Sequence, residues 1–179
     1  MTKLRSRPVE LKEMLEARER RSAKHRAYVK KYGCPAVLFT MNIPGPEKSG
    51  QAVCRCFDKG FQALLHVLED REIPMCNAEA HYLITGPEGY LAADTAGRTL
   101  KELAVKVEEL EPEGRLFDID VLDQDCVPIS RQLIGLGERR CFLCGESAKA
   151  CGRSRRHSVE ALMEAVRKIM ERGQEAVSF

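Results

Sequence analysis

The sequence predicts an α+β domain: a mixed or antiparallel sheet with helices packed on one face, a βαββαβ core, then a Cys-rich segment and a terminal helix. Three observations carry this. Between residues 36 and 122, apolar runs of strand length and segments of helical periodicity follow the order strand, helix, strand, strand, helix, strand, the split βαβ arrangement. Gly and Pro punctuate the joins at Pro44-Gly45-Pro46, Gly86-Pro87-Glu88-Gly89 and Glu111-Pro112-Glu113-Gly114. After residue 138 the strand and helix periods lapse, and three cysteines and a histidine fall within a short span.

At 179 residues the chain is expected to form one domain. Within it we read a basic N-terminal helix over 1–32, an α/β core over 36–130 and a Cys-rich knuckle with a C-terminal helix over 139–179. The apolar fraction of 44% and charged fraction of 31% are ordinary for a globular protein. A net charge of +2 excludes a molecule that binds polyanions with its whole surface, so local charge matters more than the sum. No apolar run approaches a membrane span, and the basic N-terminus lacks the apolar core of a signal peptide. The expectation is a cytoplasmic protein without membrane contact, whose eight cysteines are thiols or metal ligands rather than a disulfide framework.

From Val9 to about Tyr32 nothing breaks a helix. Its apolar content is thin and its middle is charged, with Arg18, Arg21 and His25 spaced to share one face. That face is either solvated or a docking surface for an acidic partner or a phosphate ligand. Gly33 stops the helix, and Ala36–Met41 reads as a strand opening into a turn-rich loop that carries Lys48. A helix over about 51–70 follows, with Val53, Phe57, Leu64 and Leu68 as its stripe. Strand, Gly/Pro loop with a lysine, then helix suits a phosphate, although the Walker spacing is absent and a rigid turn explains it equally. Strands are expected over about 78–85 and 90–94, joined by a turn at Gly86–Gly89. Leu100, Leu103, Ala104, Val107 and Leu110 mark the next helix, and Ser158 caps a last one to about residue 172.

Gly114-Arg115-Leu116-Phe117-Asp118-Ile119-Asp120-Val121 is the stretch with most chemistry. Alternate strand residues share a face, roughly 7 Å apart, so Asp118 and Asp120 project together while Ile119 and Val121 turn inward. Paired carboxylates repel unless a cation lies between them, and Mg²⁺ held by two acids completes its shell with water and phosphate oxygens. The alternative is an edge strand wearing acids toward solvent. Gly114 and Arg115 favour the phosphate reading, one by close backbone approach and the other by a fixed cation. Farther on, Cys141, Cys144, Cys151 and His157 have the spacing C-x2-C-x6-C-x5-H, which can supply a tetrahedral Zn²⁺ site or reduced thiols in a structural turn. Arg139, Arg140, Arg153, Arg155 and Arg156 surround it as a basic cluster.

Together these pieces resemble the CitX family, the apo-citrate lyase phosphoribosyl-dephospho-CoA transferases. The resemblance runs from about Leu15 to His157. It rests on Ala17-Arg18-Glu19-Arg20-Arg21, Pro44-Gly45-Pro46-Glu47-Lys48, Gly86-Pro87-Glu88-Gly89, the Gly114–Val121 stretch, and Arg139-Arg140-Cys141-x-x-Cys144 with Cys151 and His157. It implies a nucleotidyl transfer: the phosphoribosyl-dephospho-CoA group of 2′-(5″-triphosphoribosyl)-3′-dephospho-CoA passes to a serine of the citrate lyase acyl carrier protein, and pyrophosphate leaves. Under that resemblance Asp118 and Asp120 would hold Mg²⁺ and, with Arg115, form the catalytic set. Arg18, Arg21, Lys48, Arg139 and Arg140 would meet phosphate charge, and Gly45, Gly86 and Gly114 would admit the ligand to the backbone. The basic first helix or the Arg139–Arg156 cluster would meet the carrier.

The Gly-Ser element that β-polymerase-type nucleotidyltransferases place about ten residues ahead of D-x-D is replaced here by Val107–Glu111, a helix end. Two other readings have distinct signatures. A non-catalytic zinc-knuckle module binding protein or RNA would tolerate loss of Asp118, but no aromatics interleave the basic cluster as stacking on nucleic acid requires. A transferase for the malonate decarboxylase carrier would differ in which carrier it labels.

Overall fold

The structure, a computed structural model, describes residues 7–175. Its elements are α1 (Leu11–Tyr32), β1 (Ala36–Met41), α2 (Gln51–Glu69), β2 (Met75–Leu83), β3 (Gly86–Ala93), α3 (Gly97–Leu110), β4 (Phe117–Leu122), α4 (Ala148–Ser154) and α5 (Val159–Glu175). The sheet order is β2-β3-β1-β4, and every pairing is antiparallel. With α2 and α3 as its crossovers, this is the split βαβ arrangement that the order of periodicities predicts.

Alternation along the strands divides the sheet into two faces. Val37, Phe39, Leu91, Ala93, Ile119 and Val121 turn toward α2 and α3 and form the main core with Phe57, Phe61, Leu64, Leu100 and Leu103. Phe39 meets Phe57 edge-on at 5.4 Å, a favourable aromatic geometry. The close fit needs Gly60: a Cβ there would lie 2.4 Å from Phe117 Cζ. The two crossover helices thus cover one face as expected.

The other face carries α1. A capping box between Glu10 and Glu13 starts this helix, and Gly33 ends it in the left-handed conformation at φ 68°. The N-terminal half of α1 buries Ala17, and in its C-terminal half Tyr28 and Val29 pack on Ala36, Leu38, Tyr90 and Ala92. The N-terminal half stays exposed at Leu11 and Leu15. This half-docked helix leaves part of the sheet face to polar residues.

The hairpin lies elsewhere than its Gly/Pro cluster suggests. β2 begins at Met75, the turn is Ile84-Thr85, and Gly86–Ala93 is strand throughout. Pro87 fits because the β1–β3 ladder ends at Thr40–Glu88, so it has no partner in β1. Gly86, at φ 108°, supplies the backbone conformation that re-enters the strand.

β4 is an edge strand, and its outer backbone groups are covered. Glu108 Oε1 accepts the Ile119 N–H at 3.2 Å, and Lys101 Nζ donates to the Ile119 carbonyl at 2.6 Å. Arg139 Nη1 donates to the Phe117 carbonyl at 2.7 Å, and Ile129 N–H bonds the Val121 carbonyl at 2.9 Å. Side chains and a following loop therefore blunt the edge that another chain could otherwise extend.

Candidate active site

The strand register places the acid pair. Asp118 and Asp120 stand opposite Thr40 and Leu38 of β1, on the α1 side of the sheet. On the far side of β1, Thr40 faces Glu88 and Leu38 faces Tyr90. Glu88, Thr40 and Asp118 therefore form one row across three strands. Ile119, between the acids, and Val121, just after them, are buried on the opposite face. Asp120 is exposed and the Asp118 side chain keeps 50% of its accessible surface, so both are open to a ligand.

Electrostatics around the pair are unbalanced. Partial burial, then the neighbouring Asp120 charge, hold the Asp118 carboxyl above the ordinary aspartate range, against the pull of Arg139, Lys101 and Arg21. A cation between the acids would relieve that repulsion, and two carboxylates beside solvent are the hard oxygen donors Mg²⁺ takes.

Cations gather on the same side of the sheet. Arg21 Nε donates to Glu88 Oε1 at 2.9 Å and its Nη2 to the Thr85 carbonyl at 2.8 Å. Arg20 reaches the same Glu88 oxygen at 2.5 Å, and Tyr90 O–H donates to Oε2 at 2.9 Å. Glu88 is buried, so it fixes two guanidinium groups by charge-assisted bonds from beneath. Lys48 Nζ donates to the Ile43 carbonyl at 2.5 Å. Burial, then the charges of Arg18 and Arg21, push its ammonium below the ordinary lysine range, so an anion arriving there would be welcome. Gly86 lies against this group: a Cβ on it would stand 3.3 Å from the Lys48 carbonyl and 3.8 Å from Arg21 Nη2.

The other sequence candidates border a separate cleft of about 770 Å³, within the range of nucleotide-sized sites. Gly114, Arg115, Arg139, Arg140, Cys141, Cys151 and His157 line it, but Asp118 and Asp120 do not. Arg139 joins the two places: it lines the cleft, pairs with Glu108 and lies 3.5 Å from Asp118 Oδ1. Arg115 donates to the carbonyls of Arg140 at 2.8 Å and Cys141 at 3.1 Å, and lies over the Phe142 ring at 5.7 Å. It fastens the Cys-rich segment to the start of β4. Arg140 Nη1 bonds the Gly145 carbonyl at 3.1 Å. Gly45 turns its Cα toward α5, where a Cβ would be 2.9 Å from Met163 Sδ, and Gly114 lies against the Glu108 carbonyl.

Cys141, Cys144, Cys151 and His157 converge: their ligand atoms all lie within 4.8 Å of one another. Burial alone would raise the Cys141 thiol, but the amides of Leu143 and Cys144 and the neighbouring thiols outweigh it and lower it. Cys34, Cys54, Cys56, Cys76 and Cys126 are free thiols, as expected, with Cys34 and Cys76 in contact at 3.3 Å.

Sequence reasoning overlooked the acids beneath the cations. Glu108 is buried between Arg131, at 2.7 Å, and Arg139. Its signal was available, since Lys101 and Glu108 are two helical turns apart on the apolar stripe of α3. Glu88 signals itself as the acid within a buried strand. Arg131 has no comparable mark, because it opens a single 3₁₀ turn outside the strand and helix periods.

An α+β sheet here presents an acid pair bordered by clustered guanidinium groups, an arrangement whose charges suit phosphate-bearing ligands. The family model described as apo-citrate lyase phosphoribosyl-dephospho-CoA transferase, CitX, matches residues 9–173. The chain is 36% identical over 155 residues to a Citrobacter koseri protein of that name, covering 87% of this chain and 85% of the relative. A Streptococcus pyogenes serotype M5 protein named as a probable enzyme of that kind is 39% identical over 166 residues, 90% and 85% of the two chains. An Escherichia coli O1:K1 relative is 33% identical over 162 residues, 90% and 88%. The chain belongs to the CitX family of apo-citrate lyase phosphoribosyl-dephospho-CoA transferases.

Proposed function

We propose that this chain transfers the phosphoribosyl-dephospho-CoA group from 2′-(5″-triphosphoribosyl)-3′-dephospho-CoA to a serine of the citrate lyase acyl carrier protein. The serine oxygen forms a bond to the α-phosphorus, the bond to the pyrophosphate oxygen breaks, and the serine proton is lost. Family membership supports the reaction, and the observation that supports the site is the shared face of Asp118 and Asp120 between Arg21 and Arg139.

Asp118 and Asp120 fit a Mg²⁺ ion by donor type and by their unneutralised repulsion. Bound there, the ion would supply charge neutralisation for the triphosphate. The chain's own groups do the rest. Arg18, Arg21 and Lys48 offer donors to the leaving pyrophosphate, where negative charge grows in the transition state. Glu88 holds Arg21 so that the guanidinium need not reorganise at that moment. One carboxylate of the aspartate pair accepts the serine proton, a role suited to the raised affinity of Asp118 for a proton. The dephospho-CoA portion occupies the cleft beside Arg115, Arg139 and Arg140, and the triphosphate passes Arg139 to reach the acids.

The exposed N-terminal half of α1, rich in arginine, offers an acidic carrier protein a complementary surface. No described helix is long and apolar enough to cross a membrane. The test combines purified protein, Mg²⁺, the triphosphoribosyl precursor and apo carrier. A mass gain on the citrate lyase carrier with release of pyrophosphate is expected. Labelling of only the malonate decarboxylase carrier, or of neither, overturns the reading.

A further inference from the structure

The knuckle between β4 and α5 has more order than a cleft wall requires. Cys141 and Cys144 lie on a tight turn, Cys151 on α4, and His157 between α4 and α5. Backbone bonds fold the segment on itself: Cys141 N–H to the Glu146 carbonyl at 2.8 Å, and Ala148 N–H to the Arg139 carbonyl at 2.8 Å. The Leu143 N–H approaches Cys141 Sγ at 3.5 Å, an amide-to-sulfur contact that favours a thiolate. His157 Nε2 stands 3.3 Å from Cys144 Sγ. Cys141 and Cys151 are buried, yet neither belongs to the hydrophobic clusters on the two faces of the sheet. In a site of four soft and borderline donors, with ligand atoms within 4.8 Å, the arrangement is what a tetrahedral ion draws together.

We propose that Cys141, Cys144, Cys151 and His157 bind a structural Zn²⁺ ion that holds the Arg139–Arg140 turn against the start of β4. Binding releases the thiol protons and leaves three thiolates and a neutral imidazole on the metal, a centre with one net negative charge. All four positions are filled by protein, so the ion takes no part in the chemistry. Its service is positional. Arg139 and Arg140 directly precede the first ligand, and Arg115 grips the carbonyls of Arg140 and Cys141. Fixing Cys141 therefore fixes the residue that bridges the cleft and Asp118. Without the ion, α4 and the turn have a small core and lose their cross-link, while the sheet keeps its own. The consequence for transfer rests on the reading of the active site given above; the metal site does not.

The test needs no transfer assay. Protein purified without chelator should carry about one zinc per chain by elemental analysis. Cys144→Ser should lose it, and Cys54→Ser, outside the cluster, should keep it. Cobalt-substituted wild-type protein should show the visible bands of a tetrahedral thiolate site, a readout that does not depend on a variant folding. Zinc-stripped, reduced protein should become open to trypsin at Arg139, Arg140, Arg153, Arg155 and Arg156, and added zinc should restore resistance. Metal-free protein that neither takes up zinc nor gives the cobalt spectrum overturns the site. Zinc that is present but whose removal leaves this segment as resistant as before overturns its positional role.

Discussion

The acids on β4 and the acids beneath the cations do opposite jobs. Asp118 and Asp120 face solvent, Asp118 with Arg139 at 3.5 Å, whereas Glu88 and Glu108 are buried and paired with arginine. Removing a charge therefore separates catalysis from stability. Asp118→Asn and Asp120→Asn should each lower transfer by at least about 10²-fold, as loss of a metal or electrostatic contact in the transition state does, with far-ultraviolet circular dichroism unchanged. Glu108→Ala should instead leave Arg131 and Arg139 without their buried carboxylate and uncover the Ile119 N–H. A loss of roughly 3–5 kcal/mol is expected, read as a shift in the urea midpoint. The D-x-D pair was legible because a strand's period fixes which residues project together. The buried acids were legible only in part, because pairing with an arginine far along the chain is a tertiary fact.

At the level of single elements, tight seams and one buried imidazole control stability. Gly60 of α2 lies under the Phe117 ring, so Gly60→Ala must push a rigid aromatic side chain aside, and about 1–3 kcal/mol of destabilisation should appear in thermal unfolding. His25 of α1 is buried and its Nε2–H donates to the Ala36 carbonyl at 2.8 Å, while burial keeps the ring neutral. Burial pushes it down to about 4 from an ordinary 6.5, against the carbonyl's opposing pull. The unfolded chain takes up this proton as pH falls through the ordinary value, and the folded chain does not until about 4. Stability is thus complete above that window and declines within it, by roughly 3 kcal/mol. His25→Gln, which keeps an N–H for the carbonyl, should flatten that part of the pH–stability curve. Sequence patterns gave α1 its extent but not its seat, since the helix carries little apolar surface and docks through Tyr28, Val29 and ion pairs. The hairpin was misplaced for a related reason. Gly and Pro at 86 and 87 mark a strand's re-entry beside a short ladder, and local composition alone reads them as the turn.

Across the whole molecule, two bodies of chain meet at Arg139. The split βαβ sheet presents the acid pair and Arg21, and the segment from Arg115 through the cysteine knuckle and α5 walls the neighbouring cleft. Strand and helix periods made the sheet topology readable. The cleft was not, because it arises where irregular chain folds back on the sheet edge, and no period describes that. A transferase reading of this molecule depends on the aspartates holding a divalent cation at the junction. The most direct measurement is Mn²⁺ binding by electron paramagnetic resonance, as a spin-bearing substitute for Mg²⁺, in wild-type protein with inorganic triphosphate present and in the Asp118→Asn and Asp120→Asn variants. The account predicts tight binding in wild type that is lost in both variants; equal Mn²⁺ affinity in all three proteins would contradict it.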